Sequence, residues 1–162
     1  MISGISLTPE FISLDEEAYL VRELSRGAKG VTSGNGLYQL RYGTPVYSKK
    51  IISNVIPEYL GVYCDRLHMT GFLPHAPKHV TVNLYTIGSS IGPHIDKIDS
   101  GKVITILSIS NEATMVMSRD QLREEVVLPR RSLIQLSGEA RYDWNHEVLP
   151  VSGIRYSIVF RD

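Results

Sequence analysis

The chain has 162 residues, 43% of them hydrophobic and 21% charged, with seventeen Lys and Arg against seventeen Asp and Glu. That is room for one domain with one core, in the composition range of ordinary folded proteins, and a formal charge of zero gives no support for charge-driven duplex binding. Cys64 is the single cysteine, which excludes an internal disulfide and a thiolate metal cage, so any metal must sit on His, Asp or Glu.

The opening residues contain no basic region followed by an apolar run, and no stretch approaches 18 uncharged apolar residues. We therefore expect an intracellular protein, cytoplasmic or nuclear, without membrane contact. "LDEEAYLVRELSRG" carries Ala18, Leu20, Val21 and Leu24 at helical spacing, starts on three acids and ends on Gly27, which predicts an amphipathic helix. A glycine-rich connection, "GAKGVTSGNG", leads to the strand-like "LYQLRYG". A second helix is predicted in "PEYLGVYCDRLHMTGF", with Leu60, Val62, Tyr63 and Leu67 on one face, Pro57 at its start and Gly71 at its end.

From residue 79 the period becomes alternating. "HVTVNLYTI", "KVITILSIS", "EATMVMS", "EEVVLP", "SLIQLSG" and "IRYSIVFR" read as short strands separated by turn-formers. Two helices followed by six or more even strands predict a mainly β fold of the jelly-roll class, with the two helices packed on one sheet.

Polar residues concentrate on particular strand faces. His94 and Asp96 are two apart, so an extended backbone points both the same way, although an HxD pair alone is more often two polar residues at the mouth of a turn. His146, just before the last strand, offers a third ligand, and two His with one carboxylate form the facial triad that leaves open positions on iron(II). In "IRYSIVFR" the apolar Ile154, Tyr156, Ile158 and Phe160 alternate with Arg155, Ser157, Val159 and Arg161. Either that second face is solvated, or it lines a barrel interior whose cations need an anionic ligand, such as a dicarboxylate gripped by Arg155. "HVTVNLY" repeats the pattern, with Thr81, Asn83 and Tyr85 on its polar face.

Asn83-x-Tyr85, His94-x-Asp96, His146 and Arg155-x5-Arg161 together resemble the signature of the AlkB family of Fe(II)- and 2-oxoglutarate-dependent dioxygenases. "LPRRSLIQLSGEARYDWNH" looks most like the eukaryotic branch that contains a tRNA wobble-uridine hydroxylase. The resemblance covers residues 7 to 162 and is specific from 79 onward. It implies a double-stranded β-helix over 79–162, with helices and a substrate-recognition lid over 1–78, in one dioxygenase domain. It further implies that His94, Asp96 and His146 ligate Fe(II), that Arg155 pairs with the distal carboxylate of 2-oxoglutarate, that Asn83 and Tyr85 hydrogen-bond it, and that Arg161 lies near its chelating end. Ser157 stands where the bacterial founding member has asparagine, which leaves its contribution to the co-substrate site open.

Dioxygen would be the oxidant, and the implied substrate is a modified nucleobase, demethylated or hydroxylated, in RNA, tRNA especially, ahead of DNA. The lid corresponds to residues 36–50, where Tyr42, Tyr47, Lys49 and Lys50 are candidates to stack on a base or meet phosphate. A monomer is expected, with neither the RNA-recognition module nor the methyltransferase of that branch attached. A same-fold oxygenase acting on a protein or small molecule is the alternative.

Overall fold

The structure, a computed structural model, describes residues 2–27, 30–32, 34–45 and 52–161. Its strands are β1 (Ile5–Thr8), β2 (Val31–Thr32), β3 (Leu37–Gly43), β4 (His79–Tyr85), β5 (Ile91–His94), β6 (Ile104–Ile109), β7 (Ala113–Arg119), β8 (Leu122–Leu128), β9 (Leu133–Leu136), β10 (Asn145–Val148) and β11 (Arg155–Arg161). The α-helices are α1 (Leu14–Arg26), α2 (Glu58–Met69) and the short α3 (Gly138–Tyr142). None of these helices is long and apolar enough to cross a membrane.

The described strands form two antiparallel sheets. The larger runs β1-β9-β6-β11-β4-β3-β2 and the smaller runs β5-β10-β7-β8. The expected mainly β, jelly-roll architecture is thus present. Its sheet order is far from chain order because successive strands cross between sheets.

Alternation along each strand gives the large sheet two different faces. Val80 and Val82 of β4 with Tyr156, Ile158 and Phe160 of β11 join one apolar cluster, which also takes in Leu20 and Leu24 of α1 and Leu60, Tyr63 and Leu67 of α2. Ile104, Ile106, Ile134, Leu136 and Val159 face the other way and meet Met115, Met117 and Val148 of the small sheet. The large sheet therefore has an apolar layer on each side, and the cavity described below opens within the second.

α1 begins with a capping box. The Ser13 backbone N–H donates to Glu16, whose own backbone N–H donates to the Ser13 hydroxyl at 3.1 Å, an arrangement worth on the order of 1 kcal/mol. The predicted buried face needs one correction here, since Ala18 is exposed and Glu17 is buried instead. Glu17 accepts from Arg130 and from the Ser110 backbone N–H, so a charge sits inside with its partners supplied by the β-core. In α2, Val62 is half exposed and Cys64 takes the inward position.

Candidate active site

Four strands of the large sheet bring a row of polar side chains to its inner face. In the pairing register Asn83 of β4 lies opposite Gln39 of β3 on one side and Ser157 of β11 on the other, with Ser108 of β6 next in line. Tyr85 and Arg155 are likewise opposite each other. The parity that turns Val82 and Ile158 toward the helix-side core turns Asn83 and Ser157 into a cavity of about 500 Å³ between the sheets. Its walls include Asn83, Tyr85, Arg155, Ser157 and Arg161.

The small sheet supplies the opposite wall. His94 at the end of β5 and His146 in β10 are paired directly, with ring centroids 4.2 Å apart. Asp96 lies two residues past His94, beyond the strand end. One ligand atom from each of His94, Asp96 and His146 falls within 4.8 Å of the others, and among the described residues these three form the one such cluster. His94 Nδ1 is 2.9 Å from the Gly92 carbonyl, so that nitrogen donates and Nε2 keeps its lone pair for a ligand.

Charge in this corner is arranged around one carboxylate oxygen that lacks a hydrogen bond among the described residues. Asp96 Oδ1 accepts from Arg161 at 3.3 Å, while Oδ2, also buried, has no hydrogen bond among the described residues. Burial pushes the Asp96 carboxyl up, but Arg161, His146 and His94 together hold it below the usual carboxylate range. Burial pushes the His146 imidazole down to about 4, helped by the charge of His94 and opposed by Asp96. A neutral imidazole and an ionised carboxylate are the forms that bind a divalent cation. Two imidazoles and one carboxylate are also the donor set suited to Fe(II).

Arg155 is fully buried, its guanidinium 4.9 Å from the Tyr85 ring centroid. Nη2 donates to Ser108 at 3.1 Å, but Nε and Nη1 have no hydrogen-bond acceptor among the described residues. Burial pushes its pKa down and that of the Tyr85 phenol up, the latter opposed by Arg155 and the Ser157 hydroxyl beside it. A buried guanidinium with donors to spare, facing a cavity, is fitted to a carboxylate ligand. The residues present therefore fit both a divalent metal and a dicarboxylate co-substrate.

The lid residues fare differently. Tyr42 is a correction: β3 alternates, so Leu40 and Tyr42 turn into the helix-side core, where Tyr42 is buried in the cluster against which Tyr59 packs, while Leu37, Gln39 and Arg41 face the cavity. It is not placed to stack on a substrate base. Tyr47, Lys49 and Lys50 lie outside the described residues.

Sequence reasoning also passed over three residues that the site uses. Gln39 and Arg41 wall the cavity, and the polar-apolar alternation that singled out β11 was present in "QLRY" as well. Arg141 of α3, almost fully buried, donates from Nη1 to the Asp96 carbonyl at 2.8 Å, from Nη2 to Lys97 at 2.6 Å and from Nε to Gly101 at 3.2 Å. It pins the segment that carries Asp96. No pattern in the sequence announces this, because its partners are main-chain carbonyls 40 to 45 residues away.

With this geometry in place, comparison with known proteins is informative. The family model described as "2OG-Fe(II) oxygenase superfamily" matches residues 5–161. The chain belongs to that superfamily. Its cofactors are accordingly Fe(II), 2-oxoglutarate and dioxygen, as expected, and the chain is an Fe(II)- and 2-oxoglutarate-dependent dioxygenase. Within the superfamily it is similar to AlkB proteins. It is 29% identical to tRNA (carboxymethyluridine(34)-5-O)-methyltransferase ALKBH8 of Mus musculus, over 91% of this chain and 24% of that protein. It is 27% identical to the "Alkylated DNA repair protein ALKBH8 homolog" of Arabidopsis thaliana, over 91% of this chain and 51% of the relative. The chain thus spans about a quarter of the mouse protein and half of the plant one. The solved structure of OsALKBH1 superposes with a TM-score of 0.77 at 19% identity, covering 100% of this chain and 99% of that one, which extends the likeness to the whole fold.

Proposed function

We propose that this AlkB-like oxygenase oxidises a modified nucleobase, with RNA, and tRNA in particular, ahead of DNA, and that one domain over residues 1–162 carries the reaction. The carrying observation is the juxtaposition of the His94, Asp96 and His146 ligand atoms with the spare donors of Arg155 across one cavity. Support for a nucleic-acid substrate comes from the tRNA-directed and DNA-repair descriptions of the mouse and plant relatives. We read 79–162 as the catalytic core and 1–78 as the helices and substrate-recognition lid. The protein would act as a monomer in the cytoplasm or nucleus.

In this reading His94, Asp96 and His146 hold Fe(II). When bound, the metal with 2-oxoglutarate and dioxygen supplies the oxidising power that places oxygen into a C–H bond, as 2-oxoglutarate leaves as succinate and carbon dioxide. Arg155 grips the distal carboxylate of 2-oxoglutarate, and Asn83 and Tyr85 donate hydrogen bonds to it, with Ser157 behind them. Arg161 keeps Asp96 ionised and lies toward the chelating end. The apolar lining from Ile104, Ile106 and Met115 excludes water from the same space. Hydroxylation of an N-methyl carbon gives a hemiaminal that releases formaldehyde, whereas a side-chain carbon keeps its hydroxyl.

The test is anaerobic Fe(II) loading, then aerobic succinate release against a panel of modified RNA and DNA oligomers. Substrate-stimulated succinate from a modified RNA, lost in His94→Ala, is the expected result. The second reading, a protein or small-molecule substrate, is favoured by the burial of Tyr42, which removes one base-stacking candidate. It would prevail if no oligomer stimulated turnover while a peptide or metabolite did.

A further inference from the structure

The polar row on the inner face of the large sheet has a direction. Arg41 Nη2 donates to Gln39 Oε1 at 2.5 Å, Gln39 Nε2 donates to Asn83 Oδ1 at 2.8 Å, and Asn83 Nδ2 donates to Ser157 Oγ at 3.0 Å. Gln39, Asn83 and Ser157 are register partners on three adjacent strands, so their side chains meet laterally without leaving the sheet. An amide can be turned over at little steric cost, and a Gln or Asn alone would not fix its own orientation. A guanidinium cannot be turned over in this sense, since it has donors and no acceptor.

That asymmetry propagates. Because Arg41 can only donate, Gln39 must present its oxygen to it and its nitrogen to Asn83. Asn83 must then accept with Oδ1 and donate with Nδ2. One Nδ2 hydrogen goes to Ser157 and the other remains for the cavity that Asn83 lines. Ser157, having accepted from Asn83, has its own proton left to give.

We infer that Arg41 and Gln39 are positioning residues, which lock the Asn83 amide so that it offers an N–H, never its carbonyl, to the 2-oxoglutarate carboxylate. This rests on the reading above that Asn83 contacts the co-substrate. A carbonyl oxygen in the same place would face a carboxylate oxygen, two acceptors with no proton between them. The orientation therefore selects an anionic ligand, and its origin lies one strand away from the residue that makes the contact.

The experiment measures 2-oxoglutarate affinity by anaerobic calorimetry on Mn(II)-loaded protein, with no turnover involved. Asn83→Leu alone should weaken binding by on the order of tenfold, the loss of one hydrogen bond to a charged group. Unchanged affinity there overturns both the co-substrate role of Asn83 and the lock. With that arm satisfied, Gln39→Glu is decisive. It is nearly isosteric, still accepts from Arg41, and has no proton to give, so Asn83 should turn its nitrogen toward position 39 and its oxygen to the Ser157 side, into the place from which an N–H had faced the cavity.

Gln39→Glu should weaken affinity by tenfold or more and exceed Gln39→Leu, which frees the amide without reversing it. A packing role predicts the opposite order, and that order would overturn the lock. In the Asn83→Leu background Gln39→Glu should have no further effect; a persistent loss would mean that the new charge acts directly on the ligand, and would also overturn it. Arg41→Lys, another obligate donor, should keep the affinity that Arg41→Met loses, whereas equal losses in both would sink the inference.

Discussion

His146 Nε2 stands 4.0 Å from Asp96 Oδ2, too far for a hydrogen bond, and both residues are buried. At that separation the two atoms are too far apart to satisfy each other, and a single cation between them would satisfy both. Divalent metal should therefore stabilise the fold by binding only the native arrangement. At metal concentrations a hundredfold above Kd the gain is about 2.7 kcal/mol, or about 5–10 °C in Tm for a domain of this size. Differential scanning fluorimetry with Mn(II) should show the shift, and His94→Ala should abolish it.

Metal-free protein should also lose stability as pH falls from about 6.5 to about 4. Burial holds the folded-state imidazole of His146 at about 4, whereas an unfolded histidine titrates near 6.5. Between those values the unfolded chain binds the extra proton, so stability rises with pH through the window and is fully present above it. The contribution is on the order of 3 kcal/mol over the whole window, about 2 kcal/mol of it between pH 7 and pH 5. Chemical denaturation of the metal-free protein at pH 7 and pH 5 should show the difference, and His146→Gln should flatten it.

Arg155 predicts opposite changes in stability and binding. A buried guanidinium with two unmet donors destabilises the co-substrate-free protein, so Arg155→Met should leave stability equal or raise it by about 1–3 kcal/mol. The same substitution should raise KM for 2-oxoglutarate by at least about tenfold. Thermal melts and steady-state kinetics on one preparation check both halves. A destabilised variant with unchanged KM would contradict the role.

Arg141→Leu should weaken metal binding without touching a ligand. Its three donors fix the carbonyls of Asp96, Lys97 and Gly101, and loss of such support around ligands typically costs about 10–100-fold in metal affinity. Arg141→Lys should recover only part, since a lysine cannot reproduce the planar fork. Competition titration with a chromogenic chelator gives the affinities.

β11 was legible in the sequence because it depends on local parity, which survives without knowledge of tertiary contacts, whereas His94, Asp96 and His146 were joined as a ligand set by the family resemblance. His94 and Asp96 were two apart, and Arg155 and Arg161 shared a face with Ser157. Tyr42 was misplaced although its signal was available, since Leu40 and Tyr42 share the apolar parity of β3 and Gln39 and Arg41 the polar one. β10 is four residues long and β5 contains Gly92 and Pro93, so neither carries a strand pattern strong enough to read. Arg141 was invisible for another reason, as its function is defined wholly by main-chain atoms that folding brings to it.

The division of the cavity between two sheets has a mechanical consequence. The histidines belong to β5 and β10, while Asn83, Tyr85 and Arg155 belong to β4 and β11, and Met115, Ile134 and Val148 fill the joint. The sheets thus act as the two jaws of a caliper, and the thickness of that apolar joint sets the gap across which a chelating dicarboxylate must reach. Ligand selection by length is then set partly by the residues of that joint, and enlarging or shrinking Met115, which also lines the cavity, would retune it.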